Sequence, residues 1–246
     1  MLDRAFRLLG AFGPRHADLT LGELTEASGL PRSTTHRLAH QLAAHGALER
    51  TARGWRLGDR LFELGQLVPR QQRLRDLALA HMQDLYELTH ETIQLAVLDG
   101  HEVLYVEIIS GHRKVATPSR RGGRMPAYCT AVGKVLLAFS PDGGADLLAS
   151  GGPWPALTPH TITDPARMAT ELSQIRRLAI AHDHEESTVG LRCVAAPVLA
   201  ADGAARAALS VSAHAGSVHP PAEIATAVRI AAMALTRELR AQPIPV

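Results

Sequence analysis

"ASGLPRSTTHRLAHQL", residues 27–42, sets a glycine and a proline ahead of three hydroxyls, two arginines and two histidines. From Gly29 to Leu48 there is no acidic residue, although the whole chain carries a net charge of only +2. Just upstream, Thr20-Leu-Gly-Glu23 has the spacing of a capping box, which predicts a helix from there to about Ser28. Gly29 can take the left-handed conformation that ends such a helix, and Leu30 then drops back into a core. Pro31 suits the first turn of a further helix, which runs to about His45 and stops at Gly46. Two short helices joined in this way predict a helix-turn-helix.

On a helical wheel Thr35, Leu38, Ala39 and Leu42 share one side of the second of these helices. Ser33, His36, Arg37 and His40 lie opposite, with Arg32 and Thr34 flanking at the start. Hydroxyls and helix-start amides bind phosphate, and an arginine can fork onto a guanine edge. A carboxylate on that face would repel phosphate, which explains why the segment lacks one. The neighbouring elements extend the pattern. Leu2, Ala5, Phe6, Leu9 and Phe12 have helical spacing up to Gly13-Pro14. "LERTARGWRL" (48–57) alternates and turns around Ala52-Arg53-Gly54, which predicts a hairpin carrying Arg50, Arg53 and Arg56. This makes a winged helix-turn-helix. Arg53 at the tip is the candidate for a minor groove, and Trp55 is expected to pack the wing onto the helices. The DNA-binding candidates are therefore Arg32, Ser33, Thr34, His36, Arg37, His40 and Arg53.

Composition supports this placement. Residues 1–68 hold nine arginines against seven acids, and the remainder holds seventeen bases and seventeen acids. Any nucleic-acid footprint is thus local and N-terminal. Two cysteines, Cys129 and Cys193, are too few for a disulfide framework and suit a reducing cytoplasm. No leader and no apolar run of about 18 residues is present, so the expectation is a cytoplasmic protein without membrane contact.

Asp59 is expected to cap a helix over about 59–69. A longer helix follows, with Leu74, Leu77, Ala78, His81, Leu85 and Leu88 in register. "TIQLAVLDGHEVLYVEII" reads as a hairpin around Asp99-Gly100. Residues 110–127 read as loop with one strand around Val115. Helices are expected at 130–139 and 165–181, the latter capped by Asp164. A second hairpin turns at Asp202-Gly203, and a last amphipathic helix covers about 221–241. Ser210 and Ser212, two apart on a strand, present both hydroxyls to one face. The amides of Ala131, Val132 and Gly133 sit at a helix start, where an anion is welcome.

With both halves read, the chain resembles the IclR family of bacterial transcription regulators over nearly its whole length. The resemblance rests on four segments in order: "LGELTEASGLPRSTTHRLAHQL" with "GWRLG", "ETIQLAVLDGHEVLYVE", "GGRMPAYCTAVGKVLLA" and "DHEESTVGLRCVAAPVLAADG". The last is the most specific, with Asp183, two acids, Gly190 and Cys193-Val-Ala-Ala-Pro197. The resemblance implies an α+β chain without a cofactor and without catalytic activity. Its parts would be a winged helix-turn-helix domain (1–58), a linker helix (59–69) and a GAF-like effector-binding domain (70–246). That last domain would be a mixed sheet with helices on both sides. The resemblance also implies homodimers or dimers of dimers on double-stranded operator DNA, governed by a small organic acid. Carried onto this chain, the implied effector contacts are Thr130, Ala131, Val132, Gly133, Asp183, Cys193, Ser210 and Ser212.

Two rival readings remain beside it. Cys129 or Cys193 with His182 and His184 would make a metal- or thiol-sensing regulator, although His-x-His beside two acids also reads as plain loop. An enzyme carrying a DNA-binding module would need a histidine that activates Cys193, and no motif supplies one.

Overall fold

The computed structural model describes residues 1–13, 16–112, 119–217 and 221–242. Contacts divide the chain into two compact units, Met1–Gln72 and Arg73–Val246. The strand expected around Val115, and Pro14 of the expected helix stop, lie outside the described residues.

The first unit contains α1 (Leu2–Leu9), β1 (Asp18–Leu19), α2 (Leu21–Ser28), α3 (Arg32–Ala44), β2 (Leu48–Arg50), β3 (Trp55–Leu57) and α4 (Asp59–Gln66). The capping box forms in both directions. The Glu23 amide donates to Thr20 Oγ1 at 3.2 Å, and the Thr20 amide donates to the Glu23 carboxylate at 2.7 Å. Gly29 ends α2 at φ 61°, and Pro31 is the N-cap of α3 rather than a residue of its first turn. Leu8, Leu24, Leu30, Leu38, Ala39 and Trp55 close one core, so the wing does pack on the helices through its tryptophan. The wing sheet has three strands, in the order β1-β3-β2. The added strand is only two residues long, too short to show an alternation, and Thr51 Oγ1 donates to its Asp18 at 2.8 Å.

Two expectations for this unit are corrected. The first helix ends at Leu9 rather than Phe12, because Ala11 and Phe12 turn back on the carbonyls three residues earlier. Gly58 rather than Asp59 caps α4, and Asp59 sits in its first turn.

α5 (Pro69–Thr89) crosses the division and buries Leu74, Ala78, Met82 and Leu85. Leu88 is 63% exposed and does not continue that stripe. The second unit then holds β4 (Thr92–Asp99), β5 (Glu102–Ile109), β6 (Arg124–Pro126), α6 (Ala131–Ala138), α7 (Ala145–Ala149), α8 (Pro165–Leu178), β7 (Ala181–His184), β8 (Leu191–Leu199), β9 (Ala205–His214) and α9 (Pro221–Ala241). Both expected hairpins form, with Gly100 at φ 61° and Gly203 at φ 82°. α8 ends three residues earlier than expected, with Ala179 left-handed, because Ala181 already begins β7.

The six strands run β6-β5-β4-β9-β8-β7, and every described pairing is antiparallel, not mixed as the resemblance implied. Alternation sends Ile93, Leu95 and Val97 of β4 with Leu209 and Val211 of β9 to one face, under α5 and α9. The opposite face carries Ala96, Ala195 and Ala208 and is covered by α6 and α8. With both faces covered, the sheet has no solvent side. This is the α+β, GAF-like arrangement.

α6 lies unusually close to the turn before it. A Cβ on Gly133 would stand 2.2 Å from the Ala127 carbonyl oxygen and 2.4 Å from Ala127 Cα. Gly133→Ala would gain about 1 kcal/mol of helix propensity. The backbone it strikes cannot swing away as a side chain could, and overpacking costs about 1–3 kcal/mol or more. The variant should therefore be less stable overall, with a lower urea midpoint than wild type; an equal or higher midpoint would refute this packing.

Candidate functional site

On α3 the side chains of Arg32, Ser33, His36, Arg37 and His40 are exposed, Thr34 is half-buried, and Thr35, Leu38 and Ala39 are buried. The face is not a set of independent side chains. The His36 and His40 rings lie 4.4 Å apart, and His40 meets the edge of Trp55 at 5.0 Å. The Arg50 guanidinium stacks over the same indole at 4.9 Å. Arg37 reaches Gln41 Oε1 at 3.5 Å.

The wing departs from the simple basic reading. Arg53 is paired with Glu23 at 2.5 Å, and Arg56 is paired with Glu49 at 2.6 Å. Glu23 therefore serves the α2 cap and the wing tip together. Hydrogen bonds from Thr20, joined by the Arg53 charge, hold its carboxyl below the ordinary range.

In the second unit a small cavity of about 10 Å³, room for about one water molecule, lies between the sheet and the start of α6. Seven of the eight residues expected at an effector site line it: Thr130, Ala131, Val132, Asp183, Cys193, Ser210 and Ser212. Gly133 does not. Its amide donates to Thr130 Oγ1 at 3.1 Å, and its missing side chain is what lets α6 approach Ala127. The amides of Ala131 and Val132 remain in the first turn, where the helix supplies no acceptor.

Ser210 and Ser212 both donate to Gln94 Oε1, at 3.2 and 3.1 Å, and the Gln94 amide group donates to Ser119 at 2.8 Å. Ser212 also lies 3.1 Å from Cys193 Sγ. Gln94 was not among the expected residues, although a glutamine inside "TIQLAVL" was a visible signal. Tyr105, Met125 and Leu191 supply apolar wall, and Ser187 supplies a further hydroxyl. Among the described residues, none that lines the cavity is cationic.

Asp183 is buried, and its two oxygens accept from the Glu186 amide and the Ser187 hydroxyl, each at 2.6 Å. It thus shapes the loop that follows β7 as well as the cavity wall. Burial pushes its carboxyl up, against the Ser187 and Glu186 hydrogen bonds and the Lys134 charge. Burial also pushes the Cys129 thiol up to about 12 and the Cys193 thiol higher still, with Asp183 adding to both. Both sulfurs stay protonated and weakly nucleophilic at neutral pH.

His182 and His184 lie on β7, with parallel rings 5.4 Å apart, and not on a loop. Among the described residues no group of three histidine, cysteine or acidic side chains could hold a metal ion. The metal-sensing reading has no support.

A winged helix-turn-helix unit followed by an α+β unit with an enclosed polar cavity defines a transcription regulator with a ligand-binding domain. The IclR helix-turn-helix domain matches residues 1–52, and the bacterial transcriptional regulator IclR C-terminal domain matches residues 66–237. The chain belongs to the IclR family, a family of regulators and not of enzymes. It is 33% identical to the HTH-type transcriptional regulator XynR of Escherichia coli over 213 residues, 86% of this chain and 84% of that protein. It is 30% identical to the E. coli transcriptional repressor IclR over 218 residues, 86% and 78% of the two chains. Among solved structures, an IclR homologue from Microbacterium hydrocarbonoxydans complexed with 4-hydroxybenzoate superposes with a TM-score of 0.89. That pair shares 31% identity over 98% of this chain and 99% of the other. No helix among the described residues is long and apolar enough to cross a membrane.

The environment of Asp183 sets a pH dependence. The folded carboxyl keeps its proton to higher pH than the unfolded one. Its ionisation therefore costs wild-type stability as pH rises from about 3.8 through the raised folded value. Asp183→Asn preserves the shape and cannot ionise. The variant's melting temperature should gain on wild type as pH rises from about 4 to about 7. A difference that stays constant with pH would show that Asp183 ionises as it does in the unfolded chain.

Proposed function

We propose that this regulator binds operator DNA through α3 and the wing, and that a small organic acid in the cavity sets that affinity. The observation that carries the ligand part is a cavity whose polar lining is made of hydroxyls, the Gln94 amide, helix-start amides and the Asp183 carboxyl. The neutral groups among these can hold a carboxylate without a cation. A cavity this small favours a monocyclic or shorter acid, admitted only as a wall moves. The 4-hydroxybenzoate on the Microbacterium homologue supports an aromatic hydroxy acid. Its carboxylate would take the Ala131 and Val132 amides and the serine hydroxyls, which would turn toward it from Gln94. Thr130 and Cys193 complete the wall. Asp183 would accept from a ligand hydroxyl, since its charge repels a carboxylate. In this reading Gly133 contributes by packing α6 and not by contact.

Operator reading is assigned to Arg32, Ser33, Thr34, His36, Arg37 and His40, with Arg53 reaching the backbone or minor groove after leaving Glu23. One recognition helix is too small a reader for a genome, so a homodimer is proposed. Leu2, Phe6, Phe62 and Leu67 are each 68% exposed or more and provide apolar surface for it. The cell compartment proposed is the cytoplasm, where the operator is.

Arg37→Ala should cost about 1–3 kcal/mol on operator DNA and relax specificity at one position. Arg53→Ala should weaken binding evenly across sequences and flatten its salt dependence. Mobility shifts on operator fragments, with light scattering for the dimer mass, test both points; two wild-type variants, or a monomer at micromolar concentration with and without DNA, would reject them.

For the cavity, a thermal-shift panel of small acids identifies the class, because a ligand of the folded state raises the melting temperature. Ser210→Ala and Ser212→Ala should each weaken the best acid by about 1.5–3 kcal/mol, the range for hydrogen bonds to a charged group. Operator affinity without ligand should not change. Unaltered titration calorimetry in both variants would move the ligand elsewhere.

A further inference from the structure

Lys134 on α6 is 1% exposed, the largest side chain among those most deeply buried, and it does not line the cavity. Its ammonium group contacts Glu186 Oε1 at 2.6 Å and Glu171 Oε1, on α8, at 3.0 Å. Glu186 belongs to the loop between β7 and β8, whose Asp183 and Ser187 form one wall of the cavity. That carboxylate is itself buried, and its second oxygen has no hydrogen-bond partner among the described residues. Lys134 is thus the only described ion-pair partner of the Glu186 side chain. Two carboxylates, Glu186 and Glu171, contact this one ammonium group, and its charge also acts on Asp183.

The loop is held in a costly shape. Glu185 sits at φ 65°, a region that non-glycine residues rarely adopt and that costs about 1–3 kcal/mol. Its carboxylate accepts from the Gly190 amide at 2.8 Å. Thr158 donates to the Glu185 carbonyl at 2.6 Å, and Thr161 donates to the Glu186 carbonyl at 2.7 Å. A strained segment persists only where its surroundings over-determine it. Here the buried ion pair is what ties its side chains to α6, the helix whose first turn faces the cavity.

We infer that Lys134 is a positioning residue for the cavity: by holding Glu186 it keeps the Asp183–Ser187 wall closed against the start of α6. Without it the strained loop loses its polar side-chain tie to α6 and relaxes outward. In the single variant the unpaired carboxylate left at Glu186 adds to that drive. The inference concerns the wall. Its consequence for ligand affinity rests on the reading of this cavity as the effector site.

A merely structural ion pair and a positioning one respond differently when both partners are removed. Replacing a buried pair by apolar side chains of similar size is often neutral or stabilising. Lys134→Met/Glu186→Met should therefore recover most of the melting temperature lost by Lys134→Met alone, while the wall stays released. The probe for the wall is Cys193, in a Cys129→Ser background of the full-length protein. Its modification by N-ethylmaleimide is followed by mass spectrometry, which requires no ligand.

Lys134→Met should label Cys193 about ten-fold faster or more, and the double variant should remain fast despite its recovered stability. In calorimetry, 4-hydroxybenzoate should bind the double variant about ten-fold more weakly than it binds wild type. Labelling of Lys134→Met at the wild-type rate would overturn the inference. So would a double variant that regains wild-type labelling along with its stability. If 4-hydroxybenzoate binds none of these proteins, the proposed acid fails as effector, and the labelling rates alone decide the role of Lys134.

Discussion

A sheet covered on both faces has no water to offer its side chains, and this constraint organises the larger unit. Every polar group on β4, β7, β8 or β9 that points toward α6 must find a partner inside the protein. Gln94 meets that demand for both serines of β9 and reaches Ser119 with its other end. Asp183 meets it by turning the chain after β7 back on itself, with the Glu186 amide and the Ser187 hydroxyl on its two oxygens. The polar cavity is what remains where these networks meet the start of α6. Apolar side chains at Gln94, Ser210 and Ser212 would satisfy the packing rule equally well, so this polar row is not needed to hold the fold together.

Much of this was legible in the sequence because its signals are local. Thr20 with Glu23, Gly29 before Leu30, and the Asp-Gly pairs at 99–100 and 202–203 each fix a turn through chemistry confined to a few residues. The position of Ser210 relative to Ser212 follows from strand parity alone. Short elements escaped. β1, β6 and β7 have two, three and four residues, too few to display a period, and they exist because a neighbouring strand offers them an edge. Leu88 fitted the helical register but falls on the exposed side, and Thr89 holds the buried position instead, as Met82 does in place of His81. Gly133 illustrates a third kind of failure. The residue was singled out, but its work is to have no side chain against Ala127, which only the packed structure reveals. Lys134 illustrates a fourth, since a lysine is almost never fully buried unless paired, and its partners are 37 and 52 residues away.

The electrostatics of the first unit were only half visible in the charge count. An acid-free α3 could be read directly, but the wing arginines could not be assigned, because their acids lie elsewhere in the chain. Arg53 finds Glu23 across 30 residues, and Arg56 finds Glu49 across the hairpin. Exposed pairs of this kind contribute little to stability, about 0–1 kcal/mol. Their effect is on availability instead. In the proposed interface Arg53 would exchange one anion, Glu23, for another, a phosphate, and so gain less from DNA than an unpaired arginine. The burden of affinity and specificity then shifts toward α3, whose Arg37 bonds to neutral Gln41 and whose arginines have no ion pair among the described residues.

Regulation by a ligand requires that the protein have two states which the ligand distinguishes. The cavity supplies a physical reason for two states. At about 10 Å³ the cavity holds no more than about one water molecule, so no ring-sized ligand enters without moving a wall. The α6 side is held by the Gly133–Ala127 approach, where backbone meets backbone and little can yield. The sheet side is a continuous hydrogen-bonded ladder. Another wall is the loop from Asp183 to Ser187, which carries the left-handed Glu185 and hangs from threonine hydroxyls and one buried ion pair. Against the sheet and α6, it is a wall held chiefly by side-chain hydrogen bonds. A ligand that displaces this wall changes the surroundings of Lys134 and, through Glu171, of α8. Differential binding at the cavity would thereby become a change in how the helices of this unit pack.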